Sequence, residues 1–134
     1  MVPIPNPDSF KPAFAGYAER ARSSFARQGA MALIGAQMVD VRPGYCAIAI
    51  TPRPEITQQH GYVHAGIVGA IVDSAGGYAG YTLFPEDSSV LTVEFKLNLL
   101  ALRGGHISGK GHIEIAGDPL LNGDAGARVA LISA

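Results

Sequence analysis

The sequence lacks the features that proteins use to bind nucleic acid. It contains no tryptophan, aromatic residues make up only 7% of the chain, and the formal net charge is -1. Binding to DNA or RNA depends on a field of basic residues that attracts phosphates, and on aromatic side chains that stack against bases. We therefore expect no nucleic-acid partner.

Cysteine is almost absent, since Cys46 is the only one in the chain. An intrachain disulfide is therefore impossible. The first residues, MVPIPNPDSF, also lack the basic segment and apolar run of a secretory signal. Because both observations fit a reducing compartment, we expect a cytoplasmic protein. Cys46 alternates with apolar residues, and no electropositive, accessible site is indicated around it, which predicts an inert core thiol.

The length of 134 residues suits one domain with its own core, and we treat 1–134 as that domain. Prolines at every second position from 3 to 7 predict an extended tail over 1–8. Over about 9–27, apolar residues recur at steps of three and four while charged residues take other faces. This pattern predicts an amphipathic N-terminal helix.

Several stretches have the composition or alternation of β-strands. We predict strands over 31–41, 45–51, 89–100, 106–116 and 128–133. The turn residues Arg42-Pro43-Gly44 join the first two strands into a hairpin, and 52–62 reads as a loop. With one long helix between the second and third strands, the order predicts an α+β fold with an antiparallel sheet around that helix.

The long helix is predicted over His64 to Phe84 and is built almost entirely from small and apolar residues. Each glycine costs a helix roughly 1 kcal/mol relative to alanine, so this composition indicates close approach by other backbone. A helix that is apolar on every side is buried. The stretch is long enough to span a membrane, but Asp73 near its centre costs about 2.5–3.5 kcal/mol there. We therefore expect a helix wrapped by a sheet and no membrane span.

Asp73 is the only formal charge in this helix. A carboxylate in apolar surroundings must be paired, hydrogen-bonded or neutralised, and such acids are candidates for functional sites. Taken alone, the residue is equally well explained as a structural acid that accepts hydrogen bonds from nearby backbone or hydroxyl groups.

The residues before the helix favour the functional interpretation. His64, Ala65 and Gly66 lie where the helix begins, and the free N–H groups of a helix start can hold an anion or oxyanion. Gln58 supplies an amide nearby, and Asp73 supplies a carboxylate about two and a half turns along the helix. Together these are the components of an acyl-transfer site.

His64 has two possible roles. It could act as a base, but at a helix start a structural hydrogen bond is the favoured role. His60 and His64 are four residues apart, yet Gly61 indicates a loop and no third ligand is evident. We expect no metal and no cofactor.

The spacing of these residues resembles that of the hotdog-fold acyl-CoA thioesterases, most closely the phenylacetate-pathway, or PaaI-like, type. Members carry an Asn or Gln, a His-Gly-Gly six residues later, and an acid nine residues after that His. Here these positions are Gln58, His64-Ala65-Gly66 and Asp73. Ala65 replaces the first glycine of the pair, which is compatible with a role for its backbone N–H alone.

The resemblance implies a hotdog fold and hydrolysis of an apolar, possibly aromatic, acyl-CoA. Asp73 would act as a general base or as a nucleophile, Gln58 would orient the water or the thioester, and the N–H of Ala65, aided by Gly66, would hold the oxyanion. Family sites lie at a dimer interface, which implies a homodimer and further a homotetramer built as a dimer of dimers. Candidate substrate-binding residues from the neighbouring chain are Gly77, Tyr78, Tyr81 and Val90.

Two alternatives remain at this point. A non-catalytic acyl-CoA binding or sensing protein of the same fold is disfavoured by the acid Asp73 and by Gln58, which a sensor does not need. A hydratase or dehydratase of the same fold would carry a different Asp/His arrangement.

The stretch 117–127 also departs from the family, which has a longer alternating strand and a hairpin there. Either this chain is trimmed relative to the family, or residues are missing from the numbering near 117–127 and after 134, and we expect the second.

Overall fold

The computed structural model describes residues 9–95, 97, 107–114 and 128–131. In chain order the elements are helix α1 (Tyr17–Ala26), helix α2 (Gly29–Ile34), strand β1 (Gln37–Arg42), strand β2 (Tyr45–Ile50), a 3-10 turn (Pro54–Ile56), helix α3 (Ala65–Tyr81), strand β3 (Ile107–Glu114) and strand β4 (Arg128–Leu131). Within the described ranges, no helix is both long enough and apolar enough to cross a membrane.

The four strands form one antiparallel sheet in the order β1-β2-β3-β4. The predicted hairpin of β1 and β2 is confirmed. Its turn uses Gly44 at φ +71°, a left-handed conformation that favours glycine, and a Cβ there would lie 2.6 Å from the Phe10 ring. The Gly44 N–H also donates to the Thr82 hydroxyl oxygen at 2.7 Å, which ties the hairpin to the end of α3.

Helix α3 packs across β2, β3 and β4, as the wrapped-helix prediction requires. Among the described side chains, residues of α3 and β2 line the core between helix and sheet, with Ile48, Ile50 and Ile71 almost fully buried. Cys46 also lies in this core with no exposed surface. An antiparallel sheet packed on one long central helix is the α+β hotdog arrangement, so the predicted fold class is confirmed.

The N-terminal helix is shorter than the predicted 9–27, because α1 begins only at Tyr17. Pro12 disfavours helical geometry in the residue before it, and Gly16 provides the non-helical position from which α1 starts. Residues 9–16 form short turns and bends instead.

Arg20 of α1 holds the end of α3. Its guanidinium donates hydrogen bonds to the carbonyl oxygens of Tyr81, Phe84, Pro85 and Glu86. It also lies over the Tyr81 ring, 3.9 Å from the ring centre. The Tyr81 carbonyl belongs to the last turn of α3 and the other three to the chain that follows, so Arg20 ties α1 to both.

The prediction of one strand over 31–41 is wrong in its first half. Residues Gly29–Ile34 form α2, and Gly35 at φ +69° ends that helix before β1 begins at Gln37. A short apolar run such as Met31–Ile34 fits a helix or a strand equally well, and its packing decides. Met31 and Ile34 are both buried, and their separation of three positions places them on one face of a helix.

The predicted strand over 89–100 is wrong for its described part, because residues 89–95 and Leu97 do not belong to a strand. A strand needs a neighbouring strand to supply its hydrogen bonds, which sequence alternation alone cannot guarantee. The predictions for 1–8, 96, 98–106, 115–127 and 132–134 lie outside the described residues. The remaining parts of the last two predicted strands are confirmed as β3 and β4.

Candidate active site

The start of α3 is positioned by the loop before it. Thr57 and Val63 form an antiparallel bridge, and the His64 N–H donates to the Ile56 carbonyl at 2.9 Å. The chain then turns into α3 with His64 as the N-cap residue. The first turn of the helix is therefore held to the 3-10 turn that precedes it.

The His64 side chain caps the helix. Its Nδ1 accepts a hydrogen bond from the Gly66 N–H at 2.9 Å. A neutral ring that accepts at Nδ1 carries its hydrogen on Nε2, so the outer ring nitrogen is a donor. A Cβ on Gly66 would lie 3.1 Å from that Nδ1, which explains why a residue without a side chain suits this position.

Capping leaves one N–H of the first turn available. The Gly66 N–H is used by His64, and the Ile67 and Val68 N–H groups donate to the His64 carbonyl. In the described part of the chain, the N–H of Ala65 has no acceptor. Ala65 is exposed at the positive end of the helix, so its N–H is the one best placed to bind an oxyanion.

Gln58 lies in the turn that leads to this helix start. Its side-chain Oε1 accepts a hydrogen bond from the His60 N–H. Its backbone N–H donates to the Tyr62 carbonyl at 2.8 Å, and its carbonyl accepts from Gly61. Because the oxygen of the amide is engaged by the loop, the Nε2 group is the part of Gln58 left to act as a donor.

Asp73 lies half-buried on α3 and accepts a hydrogen bond from a neighbouring hydroxyl. Thr92 Oγ1 donates to Asp73 Oδ1 at 2.6 Å. This contact fixes one carboxylate oxygen, and among the described residues no other side chain hydrogen-bonds to the acid. The carboxylate is therefore oriented at Oδ1 and free at Oδ2.

The segment that carries Thr92 runs beside α3 in the opposite direction. Thr92 contacts the helix at Asp73. Farther along the segment, the Phe95 and Leu97 side chains lie beside Gly69, where an added Cβ would be in van der Waals contact with them at 4.0 and 3.8 Å. The segment thus covers α3 between Asp73 and Gly69 and keeps the Thr92 hydroxyl turned toward the acid.

The helix surface next to Asp73 is open. Gly77 follows Asp73 by four residues and so lies on the same helix face. A Cβ built on Gly77 meets nothing within 4 Å in the described structure. Contrary to the prediction of a helix buried on every side, this face of α3 is only half-buried.

The oxyanion position and the acid are well separated within one chain. With a rise of about 1.5 Å per residue, Asp73 lies roughly 12 Å along the helix axis from Ala65. A water that bridges a base and a carbonyl carbon spans only about 3 Å on either side. One chain therefore does not bring its own Ala65 N–H and Asp73 carboxylate to the same carbonyl group.

Comparison with known proteins identifies the family. No protein-family profile and no curated protein sequence matches the chain. Among solved structures, a thioesterase family protein from Silicibacter pomeroyi is 43% identical, with 73% of each chain covered and a TM-score of 0.71. The chain belongs to the thioesterase family.

More distant thioesterases share the fold. The PaaI protein from the phenylacetic acid degradation operon of E. coli is 13% identical over 75% of this chain and 72% of its own, with a TM-score of 0.66. A Haemophilus influenzae thioesterase is 17% identical over 79% and 74%, with a TM-score of 0.67. The resemblance to the PaaI-like hotdog proteins is thus confirmed, and the enzyme class is thioester hydrolase.

The predicted substrate-binding residues of this thioesterase fall on different sides of α3. Gly77 lies on the Asp73 face, and Val90 is half-buried in the segment that leads to Thr92. Tyr81 is half-buried and donates to the Ser88 carbonyl at 3.1 Å, which holds the beginning of that segment. Tyr78 is only 3% exposed and packs against α1, away from the open face.

Thr92 is the residue that sequence reasoning missed. It lies on the polar side of the alternating run Leu91 to Leu97, next to charged residues, and this pattern indicates only a solvent-facing side chain. Its position can be read only once the path of the segment beside α3 is known. The one available signal was the expectation that a half-buried acid needs a hydrogen-bond donor close by.

Proposed function

We propose that this thioesterase hydrolyses acyl-CoA thioesters whose acyl group is apolar, with aromatic groups among the candidates. The observation that carries the proposal is the Asp73 carboxylate, fixed at one oxygen by Thr92 and free at the other, beside the open helix surface at Gly77. An oriented acid with adjacent space for an acyl group is what thioester hydrolysis requires.

In the general-base route, Asp73 takes a proton from water while the water oxygen attacks the thioester carbonyl carbon. The Ala65 N–H stabilises the resulting oxyanion, as a helix start does for developing negative charge. Collapse of the tetrahedral intermediate breaks the carbon–sulfur bond, and the CoA sulfur leaves with the proton from Asp73. Gln58 Nε2 orients the water or the thioester.

In the nucleophilic route, Asp73 itself attacks the carbonyl carbon and expels CoA thiolate, which leaves a mixed anhydride on the carboxylate. Water then hydrolyses the anhydride and restores Asp73. Both routes use the same residues. Single-turnover hydrolysis in ¹⁸O-labelled water tests for the nucleophilic route, because water that attacks the Asp73 carbonyl carbon of the anhydride places the label in the protein, whereas the general-base route never does.

We propose further that two chains complete each site, with Asp73 of one protomer facing the Ala65 N–H of its partner. The separation of roughly 12 Å along one helix supports this arrangement, because it is too long for a single carbonyl group to bridge. Pairing of two such dimers would give the tetramer implied by the family resemblance.

The segment 89–95 is our candidate for the dimer contact. Its apolar side chains alternate, and Leu91 and Val93 are 91% and 97% exposed while Thr92 between them faces α3. A run with strand-like alternation and solvent-exposed apolar residues is suited to pairing with a second copy. We also propose a cytoplasmic location, since Cys46 is a buried free thiol.

The experiment that tests the proposed function is release of free CoA from phenylacetyl-CoA, benzoyl-CoA and a medium-chain acyl-CoA. We expect saturable turnover of at least one of the three. Binding of these compounds without turnover would instead favour a non-catalytic acyl-CoA binding protein, and neither binding nor turnover would contradict both interpretations.

A further inference from the structure

A second polar cluster lies on the side of α3 that faces away from the open surface. Ser74 Oγ donates to Gln28 Oε1 at 3.2 Å, and Gln28 Nε2 donates to the Tyr78 hydroxyl at 3.0 Å. Ser24 of α1 lies 3.2 Å from the same hydroxyl. The cluster therefore joins α1, the junction between α1 and α2, and α3.

The two ends of the Gln28 amide bind residues one turn apart on α3. Ser74 and Tyr78 are separated by four residues and so lie one above the other on a single helix face. Since Gln28 Nε2 donates to the Tyr78 hydroxyl, the hydrogen of that hydroxyl is available for Ser24 Oγ. The hydrogen bonds then run in one direction, from Ser74 to Gln28, from Gln28 to Tyr78 and from Tyr78 to Ser24.

The buried faces of α3 combine a few large side chains with many small ones. Helices normally lock together because protruding side chains fit between those of a neighbour. The large buried residues are Ile71, Val72 and Tyr78, and the small ones, which protrude little, are Gly69, Ala75, Gly76, Ala79 and Gly80. Apolar contacts between smooth surfaces have little directionality, whereas hydrogen bonds in a low-dielectric interface are directional.

We infer that Gln28 is a positioning residue for the active site, because it sets the rotation of α3 and so the direction of Asp73. Ser74 follows Asp73 directly, so a hydrogen bond from Gln28 to Ser74 holds the turn that carries the acid. This inference rests on the proposed role of Asp73. It extends that proposal to a residue 45 positions away in the sequence, on an element with no other place in the mechanism.

Three variants test the inference. Gln28→Met keeps the length and unbranched shape of the side chain but removes both hydrogen bonds. Gln28→Glu keeps two oxygens that can accept from the Ser74 and Tyr78 hydroxyls. Gln37→Met is the matched control, since Gln37 is exposed on β1.

With phenylacetyl-CoA, we expect the kcat of Gln28→Met to fall by about 10- to 100-fold with KM within about twofold, as for misplacement of a reacting group by about an ångström. Gln28→Glu should recover most of the lost kcat, and Gln37→Met should match the wild type. Assays are run well below the Tm of every variant, so that loss of folded protein does not contribute.

Amide hydrogen exchange of α3 gives a readout that does not depend on turnover. We expect exchange at Ser74 to Tyr78 to be about tenfold faster in Gln28→Met than in Gln37→Met. Unchanged exchange would overturn the inference, whether or not the protein hydrolyses phenylacetyl-CoA.

The kinetics separate this inference from the proposed function. A Gln28→Met variant with wild-type kcat, beside an inactive Asp73→Asn, would overturn the positioning role and leave the proposed function standing. An Asp73→Asn variant with wild-type kcat would overturn the proposed role of Asp73. In that case, faster amide exchange in Gln28→Met would show that Gln28 stabilises α3 but does not position a catalytic Asp73.

Discussion

Thr92 Oγ1 donates a 2.6 Å hydrogen bond to Asp73 Oδ1, across 19 residues of sequence. This contact connects the segment after α3 to the acid at the middle of the helix. It holds the carboxylate in one orientation and leaves Oδ2 for a proton or a carbon atom to approach. The relationship gives the candidate site its defined geometry, and it is the first to be tested.

Replacing Thr92 with Val removes the hydroxyl and keeps the shape of the side chain. A hydrogen bond to a charged group contributes about 1.5–3 kcal/mol, so we expect kcat for phenylacetyl-CoA to fall by about 10- to 100-fold. Thr92→Ser should retain most of the activity, because it keeps the donor. Thr51→Val at the exposed end of β2 is the control, and an equal loss in that variant would remove the argument for Thr92.

Gly77 and Gly66 should respond in opposite ways to alanine. At Gly77 a Cβ meets nothing within 4 Å, so Gly77→Ala should stabilise the fold by roughly 0.5–1 kcal/mol. At Gly66 a Cβ would lie 3.1 Å from His64 Nδ1, so Gly66→Ala should disturb the cap and cost about 1 kcal/mol. Denaturant unfolding measures both, and stabilisation by Gly66→Ala would contradict the capping geometry.

A larger side chain at Gly77 should restrict the acyl group. We expect Gly77→Leu to raise KM for phenylacetyl-CoA far more than for acetyl-CoA, because leucine fills the open surface beside Asp73. Tm should stay close to that of Gly77→Ala, which serves as the control for backbone effects. Equal KM changes for the two substrates would indicate that the acyl group binds elsewhere.

The exposed apolar residues of segment 89–95 should control assembly. A charge in an apolar contact costs several kcal/mol when it is left unpaired, so Leu91→Lys with Val93→Lys should dissociate the proposed dimer and abolish turnover together. Leu33→Lys on α2 is the control, since Leu33 is 76% exposed in a different part of the chain. Sedimentation velocity measures the state of each variant, and a dimer that persists in the double variant would place the contact elsewhere.

Cys46 should make the fold sensitive to alkaline pH. Burial raises the pKa of the Cys46 thiol from 9.0 to about 12. The charge of Arg22 lowers this pKa by a smaller amount, and the charge of Asp40 raises it slightly. Since the folded chain holds this proton more tightly than the unfolded chain, the thiol's contribution to stability is complete below pH 9 and declines as pH rises toward 12.

The comparison between wild type and Cys46→Ala isolates that contribution. By pH 11 the wild type should have lost roughly 2–3 kcal/mol more than the variant, relative to pH 7. A thiol reagent at pH 8 should label the folded wild type very slowly and the urea-unfolded chain at once. Parallel pH curves for the two proteins, or rapid labelling of the folded chain, would contradict the buried, protonated thiol.

The central helix was the part of the fold that the sequence predicted best. A long run of small and apolar residues, bounded by His64 and Pro85, allows few other structures, and its interior acid marked the candidate site. The hairpin before it was equally clear, because Pro43-Gly44 fixes a turn between two β-rich runs. In both cases the information is local, so one sequence contains it.

The errors arose where structure depends on distant neighbours. The alternation from Leu91 to Leu97 is that of a strand, yet strand geometry needs a pairing partner that no local pattern specifies. Met31–Ile34 is too short for its period to separate helix from strand. The Thr92 contact and the Gln28 cluster join residues far apart in the chain, so they follow from how the elements pack rather than from any motif.

The most direct test of the proposed active site is the rate of CoA release from phenylacetyl-CoA by wild type and by Asp73→Asn, with the oligomeric state of both measured in the same buffer. Asparagine keeps the size of the side chain and can still accept from Thr92, but it is neither a base nor a nucleophile. We predict a fall in kcat of two or more orders of magnitude with assembly unchanged. An Asp73→Asn variant that turns over at the wild-type rate would show that the acid is structural and that the active site lies elsewhere.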